Sequence, residues 1–125
     1  MTPRVILCVD DEESILRSLR RCFSSEGYTF LMASSGQEAL DILGMIGGKI
    51  DLLIIDQKMP EMMGDEFLRI VHEKYGCFPV IMLSGYAEIE ALSRAESFGE
   101  VVHFVAKPWI NQELRKRVQD ILGAV

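Results

Sequence analysis

Short apolar runs alternate along this chain with segments in which apolar residues recur at helical spacing. The runs have the length of β-strands and lie at residues 4–9, 28–33, 51–55, 79–83 and 101–106. Each segment between them is long enough to hold a helix, which is what a crossover between parallel strands requires. The alternation therefore predicts an α/β fold, with a parallel five-stranded sheet and helices on both of its faces.

Five helices are predicted from the apolar stripes, which lie at residues 15–23, 39–46, 67–71, 91–98 and 114–122. The second helix has a clear beginning, because Ser35 followed three residues later by Glu38 forms a capping box. Gly99 is placed to end the fourth helix. At this length the chain is expected to form one domain, residues 1–125.

Composition argues against several classes of function. A net charge of −6 is unfavourable for direct nucleic-acid binding. No apolar run is long enough to span a membrane, and the run after Arg4 is too short for a secretory signal. Cys8, Cys22 and Cys77 are too widely spaced to indicate a zinc site or a disulfide framework. We therefore expect a reduced, cytoplasmic protein.

Polar side chains follow all five predicted strands, and the pair after the second, Ser34-Ser35, is interpreted as helix capping. Asp10 and Asp11 follow the first run, Asp56 the third, Ser84 the fourth and Lys107 the fifth. The carboxyl ends of parallel strands meet at one edge of the sheet, which is where ligands bind in open α/β sheets. The sequence therefore predicts that three carboxylates, one hydroxyl and one ammonium converge there.

This set of groups fits phosphoryl transfer beside a metal ion. Hard divalent cations prefer oxygen ligands, so Mg²⁺ is the expected cofactor of the carboxylates. Asp56 can act as a nucleophile and form an acyl phosphate. The attack requires that negative charge be neutralised, which Lys107 and a divalent cation would do. Ser84 can donate a hydrogen bond to a phosphoryl oxygen.

The chain resembles the receiver domain of two-component response regulators over essentially all of its 125 residues. The resemblance is carried by Asp10-Asp11, by the segment DQKMPEMMG at 56–64, by Ser84-Gly85 and by Lys107-Pro108. Each motif is weak alone, but their order and their positions at strand ends make the set specific. The resemblance implies a flavodoxin-like, doubly wound sheet of strand order 2-1-3-4-5 with five helices. It also implies a phosphorylation-controlled signalling switch and not a turnover enzyme.

The resemblance also implies roles at the site. Asp56 is the expected phosphoacceptor, modified by the phosphohistidine of a partner histidine kinase or phosphotransfer protein. Asp11, Asp56 and the backbone carbonyl of Lys58 are expected to bind Mg²⁺, with Asp10 acting through a metal-bound water. Lys107 would pair with the phosphoryl group.

Ser84 and Phe104 are the expected switch residues. Ser84 would move towards the phosphoryl group and Phe104 would turn inward, which would reshape the face of the fourth helix, fifth strand and fifth helix. That face would control an output domain or partner protein, and a homodimer through the same region is left open. The Lys107–Pro108 bond is expected to be cis, as is common in the family.

The chain departs from the family pattern in two ways. Phe104 stands where the family commonly has Tyr, so no hydroxyl can contribute to partner binding there. Lys58 and Tyr86 occupy variable positions that border the phosphoryl group and tune its lifetime. A cation and a bulky ring at these positions would hinder the attacking water, which predicts a phosphoryl lifetime of minutes or longer.

The same residues also admit other interpretations. Asp56 alone would indicate a turn former, and Asp10-Asp11 alone would favour a helix N-terminus through the helix dipole. An Asp-nucleophile phosphatase would need a second acid two residues after Asp56, where the chain has Lys58. A receiver-like module that works without phosphate would have lost an acid or Lys107, and all of them are present.

The output of the switch is not specified by these residues. The chain is either a free-standing receiver or one domain of a longer protein. Trp109, directly after Lys107-Pro108, resembles receivers attached to phosphodiesterase-type output domains. A DNA-binding output is equally open and would lie outside this chain.

Overall fold

The computed structural model describes residues 3–85, 89 and 102–123. Its strands are β1 (Val5–Val9), β2 (Thr29–Ala33), β3 (Leu52–Asp56), β4 (Val80–Ser84) and β5 (Val102–Ala106). All neighbouring strands pair in parallel, in the order β2-β1-β3-β4-β5. The predicted doubly wound, flavodoxin-like sheet is therefore confirmed.

Four helices lie within the described residues: α1 (Glu13–Phe23), α2 (Gly36–Ile46), α3 (Gly64–Tyr75) and α4 (Asn111–Leu122). The helix α4 is the last of the five predicted from the sequence, and the predicted fourth, at 91–98, lies outside the described residues. The predicted start of α2 is confirmed, because Ser35 Oγ accepts a hydrogen bond from the Glu38 N–H at 3.0 Å. The Glu38 carboxylate accepts from the N–H of Ser34 at 3.2 Å, one residue earlier than a standard capping box places it.

Alternate strand residues face opposite sides of the sheet, and both sides are covered. The layer beneath α2 and α3 includes Leu7, Val9, Leu53, Ile55, Val80 and Met82. The layer beneath α1 and α4 includes Ile6, Cys8, Leu52, Ile54, Ile81 and Leu83. Burial of one large aliphatic side chain contributes about 1.5–3 kcal/mol. Since both faces are filled, only the ends of the strands are left to form a polar site.

The first four strands begin one residue later than predicted, and β3 and β4 each extend by one polar residue. Asp56 pairs with Leu83, and Ser84 pairs with Ala106, in the parallel ladders. The ladder continues past Asp56, because the N–H of Gln57 donates to the Leu83 carbonyl at 3.3 Å. Asp56 and Ser84 are thus the final residues of buried strands, which fixes their backbones.

Among the described residues, no helix combines the length and the apolar character that crossing a membrane requires.

Candidate functional site

Asp10, Asp11 and Asp56 converge at the carboxyl edge of the sheet. One carboxylate oxygen of each lies within 4.8 Å of the others. The convergence follows from the pairing of β1 with β3, in which Val9 lies opposite Ile55 and the following residues are brought side by side. Asp10 is 1% exposed and Asp56 is 6% exposed, whereas Asp11 is exposed. Their oxygens form a group that can hold a metal ion, open to solvent on the Asp11 side.

Lys107 brings the positive charge to this cluster. Its Nζ lies 2.9 Å from Asp56 Oδ1 and 3.5 Å from Asp10 Oδ2. The strand β4 separates β3 from β5, so the Lys107 side chain has to extend across the end of β4 to reach Asp56. Its backbone is held there, because the N–H of Lys107 donates to the Ser84 carbonyl at 3.0 Å. The Lys107–Pro108 bond is cis, as predicted.

The electrostatics of the cluster show an excess of negative charge. Burial raises the pKa of Asp10 from 3.8 to about 6, and the nearby carboxylates of Asp56 and Asp11 act in the same direction. The Glu12 N–H and the Lys107 ammonium oppose that rise in pKa without cancelling it. Burial lowers the pKa of Lys107, but the hydrogen bond and charge of Asp56, together with Asp10, raise it overall. One ammonium therefore does not neutralise three carboxylates, and a divalent cation would complete the charge balance.

Asp10 also has a local structural role. Its Oδ1 accepts a hydrogen bond from the N–H of Glu12 at 2.9 Å, and Glu12 is the N-cap residue of α1. The alternative interpretation of Asp10 as a group near a helix N-terminus is thus correct in part. Its second oxygen, Oδ2, faces Lys107, so the same side chain joins the start of α1 to the charged cluster.

The β3–α3 loop, residues 57–63, is closely fitted around Asp56. A Cβ added to Gly64 would lie 2.7 Å from the Asp56 carbonyl oxygen, a separation that only glycine avoids without displacing the backbone. Within the loop, Glu61 has φ 69 and the Met62 N–H donates to the Pro60 carbonyl at 2.7 Å, which is a γ-turn. The loop is therefore folded back tightly on the end of β3.

Sequence reasoning missed one pair of residues at this loop. The side chains of Gln57 and Asp65 are joined through two hydrogen bonds of 2.9 Å, one of them to the Asp65 backbone N–H. Gln57 is 6% exposed. A polar residue directly after the strand-end Asp56 was the available signal, but nothing in the sequence indicated that Gln57 is buried or that Asp65 is its partner.

The two predicted switch residues occupy different positions relative to the cluster. Ser84 is 1% exposed, and its buried Oγ has no hydrogen-bond partner among the described residues. Phe104 is half-buried in β5, opposite Met82, and packs on the side of the sheet that carries α2 and α3. Ser84 is linked to the cluster through its backbone bond to Lys107.

Of the two positions expected to tune the phosphoryl lifetime, only Lys58 lies among the described residues. Lys58 is the second residue after Asp56 in the β3–α3 loop, and it is exposed. Tyr86 lies outside the described residues. Of the predicted site residues, the structure brings Asp10, Asp11, Asp56 and Lys107 together directly.

Comparisons with known proteins agree with this geometry. Residues 6–119 match the family model described as the response regulator receiver domain. The chain is 35% identical over 117 residues to the sensor kinase CckA of Brucella abortus (strain 2308), covering 94% of this chain but only 12% of that protein. It is 34% identical over 117 residues to the sporulation initiation phosphotransferase F of Bacillus subtilis (strain 168), covering 94% of this chain and 92% of that protein.

A solved structure shows the same fold. It is the signal receiver domain of an HD domain-containing protein from Pseudomonas fluorescens Pf-5, and it superimposes with a TM-score of 0.84 at 30% sequence identity. The match covers 98% of this chain and 88% of that chain.

Proposed function

Because the chain belongs to the response regulator receiver domain family, we propose that Asp56 accepts a phosphoryl group and thereby switches a signalling surface. The observation that carries the proposal is the contact of 2.9 Å between Lys107 Nζ and Asp56 Oδ1, at the edge of a cluster of three carboxylates. A phosphoryl donor is anionic and is repelled by the carboxylates as it approaches. A cation beside the attacking carboxylate reduces that repulsion, and Lys107 supplies this cation.

The proposed donor is the phosphohistidine of a histidine kinase or phosphotransfer protein. One carboxylate oxygen of Asp56 attacks phosphorus, and the P–N bond to the histidine breaks. The imidazole leaves with that electron pair and takes up a proton, and Asp56 becomes a mixed carboxylic–phosphoric anhydride. Lys107 offsets charge on the phosphoryl oxygens. Ser84 Oγ, buried and without a partner among the described residues, supplies a hydrogen-bond donor.

The residues of the cluster fit Mg²⁺, since three carboxylate oxygens lie close together and one of the acids is open to solvent. Asp11, Asp56 and the Lys58 carbonyl would hold the ion, with Asp10 acting through a bound water. When bound, Mg²⁺ would neutralise charge that Lys107 alone does not balance. Asp10 supports this assignment, because burial among like charges raises its pKa to about 6.

The proposed switch couples the phosphoryl group to β5. Phosphorylation of Asp56 gives Ser84 Oγ and Lys107 new anionic oxygens to bind. Movement of Ser84 would leave room for Phe104, two residues before Ala106, which pairs with Ser84. The surface formed by β5, α4 and the helix predicted at 91–98 would then change its affinity for an output domain or partner protein.

The output and the cellular setting are also proposals. The chain spans 12% of the sensor kinase and 92% of the phosphotransferase to which it is similar, so its relatives include both a much longer protein and a protein of nearly this size. We place the reaction in the cytoplasm, supported by the buried free thiols of Cys8 and Cys22. A homodimer through the same surface, from the helix predicted at 91–98 to α4, would be one way of transmitting the switch.

A turnover phosphatase is the weaker alternative. Such an enzyme needs a second acid two residues after its nucleophile, and here that residue is Lys58, whose side chain is exposed. We therefore propose a phosphoacceptor that assists its own phosphorylation and dephosphorylation and is not a turnover enzyme.

Intact-protein mass spectrometry with acetyl phosphate and Mg²⁺ tests the proposal. The wild-type chain is expected to gain the mass of one phosphoryl group, which chelation of Mg²⁺ prevents. Asp56→Asn should gain none, whereas the control Asp41→Asn, at an exposed position of α2, should react like the wild type. An unmodified wild type, or an Asp56→Asn variant that still reacts, would show that the proposed function is wrong.

A further inference from the structure

Gln57 and Asp65 close the β3–α3 loop at its base. Gln57 Nε2 donates to Asp65 Oδ1, and Gln57 Oε1 accepts from the Asp65 N–H, each at 2.9 Å. The Gly64 N–H adds a third bond of 2.9 Å, to the Gln57 carbonyl. We call the two bonds of the Gln57 side chain the Gln57–Asp65 clasp. Together, the three bonds fix both ends of the loop that carries Lys58.

The clasp lies directly beside the proposed phosphoacceptor. Gln57 follows Asp56 in the chain, and Lys58, whose carbonyl is the proposed metal ligand, follows Gln57. A single backbone bond between Gly64 and Gln57 would act as a pivot about which the loop could rotate. The two bonds of the clasp add two more fixed points, so the peptide that presents the Lys58 carbonyl has a defined orientation relative to Asp56.

We propose that Gln57 is a positioning residue for metal-dependent phosphorylation of Asp56, acting through its clasp with Asp65. The inference rests on the proposed function of Asp56. Groups that orient a metal ligand without touching the metal typically change metal affinity or activity by about 10–100-fold when they are replaced. We expect Gln57 to belong to that class, because it is buried and both the nitrogen and the oxygen of its side-chain amide are bonded to Asp65, in the first turn of α3.

The clasp also has a structural role that the test must separate. The N-cap residue of α3, Met63, makes no side-chain capping bond, and Gln57 Oε1 satisfies the N–H of Asp65 in the first turn. Loss of the clasp is therefore expected to lower thermal stability, whatever happens at the metal site. Mg²⁺ affinity measured well below the melting temperature distinguishes the two roles, because a helix cap alone would leave it unchanged.

Gln57→Glu and Asp65→Asn make a matched pair of variants. Gln57→Glu keeps the acceptor for the Asp65 N–H but sets a carboxylate against the Asp65 carboxylate. Asp65→Asn keeps an acceptor for Gln57 Nε2. The variant loses the charge that faces Arg69 at 3.6 Å, but the Arg69 side chain is 56% exposed, so that pair is screened by solvent and contributes little. In the double variant the amide at position 65 donates and the carboxylate at position 57 accepts, which reverses the direction of the wild-type bond. The net charge of the double variant equals that of the wild type.

The experiment has two readouts. The first is the Mg²⁺ concentration at half-saturation, followed without a phosphodonor by the fluorescence of Trp109, the single tryptophan. The second is the rate of modification by acetyl phosphate. Gln57→Glu should weaken Mg²⁺ binding and slow the reaction by about tenfold. Asp65→Asn should stay within about twofold of the wild type, and the double variant should recover most of the loss. Wild-type Mg²⁺ affinity and rate in Gln57→Glu, or no recovery in the double variant, would overturn the inference.

The inference and the proposed function fail in different ways. If the wild type itself takes up no phosphoryl group, the proposed function of Asp56 is wrong. If the wild type and Asp65→Asn react normally and Gln57→Glu differs only in melting temperature, Gln57 is a helix cap and only the positioning role is wrong.

Discussion

The ammonium of Lys107 lies 2.9 Å from the carboxylate of Asp56, the shortest ion pair described for this site. A second contact, of 3.5 Å, joins the same ammonium to Asp10. One cation is thus shared by two buried carboxylates, and its side chain is only 24% exposed. Removal of the ammonium would leave the charges of the two buried carboxylates uncompensated where little water can solvate them, which destabilises the folded state.

Lys107→Met is expected to destabilise the metal-free protein at pH 8 by about 1–3 kcal/mol, less than for a fully buried pair because Lys107 is in part solvated. Mg²⁺ should stabilise this variant more than it stabilises the wild type, since the ion then neutralises carboxylates that have lost their ammonium. Chemical denaturation with and without Mg²⁺ measures both effects. Lys116→Met, at an exposed position of α4, is the control, and equal losses in the two variants would contradict the prediction.

The raised pKa of Asp10 predicts that the stability of the metal-free protein depends on pH. Its pKa is raised from 3.8 to about 6 on folding, so the folded state holds the proton more tightly than the unfolded state. The resulting stabilisation is complete below about pH 3.8 and is lost as the pH rises through about 6. An asparagine side chain carries no charge at any of these pH values. Asp10→Asn should therefore be more stable than the wild type at pH 8, by at most about 3 kcal/mol.

That advantage should shrink at pH 5, where Asp10 in the folded wild type is largely protonated. Urea unfolding in the presence of a chelator, at both pH values, measures the difference between the two proteins. The comparison cancels titrating groups that the two proteins share. A stability difference that does not change with pH would show that burial and like charges do not raise the pKa of Asp10 as described.

Gly64 and Gly44 should respond to alanine in opposite directions. A Cβ at Gly64 would meet the Asp56 carbonyl oxygen at 2.7 Å, so Gly64→Ala should cost about 1–3 kcal/mol and slow phosphorylation. Gly44 lies inside α2, and among the described residues outside that helix a Cβ there would meet only Tyr75 Oη, at 3.8 Å. Gly44→Ala should therefore stabilise the protein by about 0.5–1 kcal/mol. Thermal unfolding measures both changes in stability. A Gly64→Ala variant as stable as the wild type would mean that the loop is not tightly fitted around Asp56.

Ser84→Ala is expected to slow phosphorylation without lowering the stability of the protein. The Ser84 hydroxyl is buried without a partner among the described residues, so its removal should leave the unmodified protein equally or more stable. The rate of modification by acetyl phosphate should nevertheless fall by on the order of 10²-fold, because a donor to the phosphoryl oxygens is lost. Ser18→Ala, on the exposed side of α1, is the control. An unchanged rate would exclude Ser84 from the reaction.

The lifetime of the phosphorylated protein is expected to be minutes or longer, because Lys58 and Tyr86 would hinder the attacking water. Decay of labelled phosphate from the purified protein measures it directly. Lys58→Ala and Tyr86→Ala should each shorten the half-life. Complete loss of label within seconds, in the absence of a phosphatase, would contradict the expectation for the wild type.

The sequence was sufficient for the architecture of the sheet, because strand and helix periods are local properties. The apolar runs located all five strands to within one residue of their described bounds, and the Ser35 signal located the start of α2. Asp10, Asp11, Asp56 and Lys107 were identifiable as a set, since the carboxyl ends of parallel strands share one edge. The family followed from the order of those motifs.

Only the tertiary structure decided how these groups face one another. Asp10 and Lys107 are separated by 97 residues, and their contact depends on the order and register of strands that neither residue belongs to. The raised pKa of Asp10 and the Gln57–Asp65 clasp depend in the same way on burial and on distances between separate elements. A linear pattern records which residues can lie at a strand end, but hydrogen bonding and electrostatic coupling change over ångströms, and those distances exist only once the sheet has assembled.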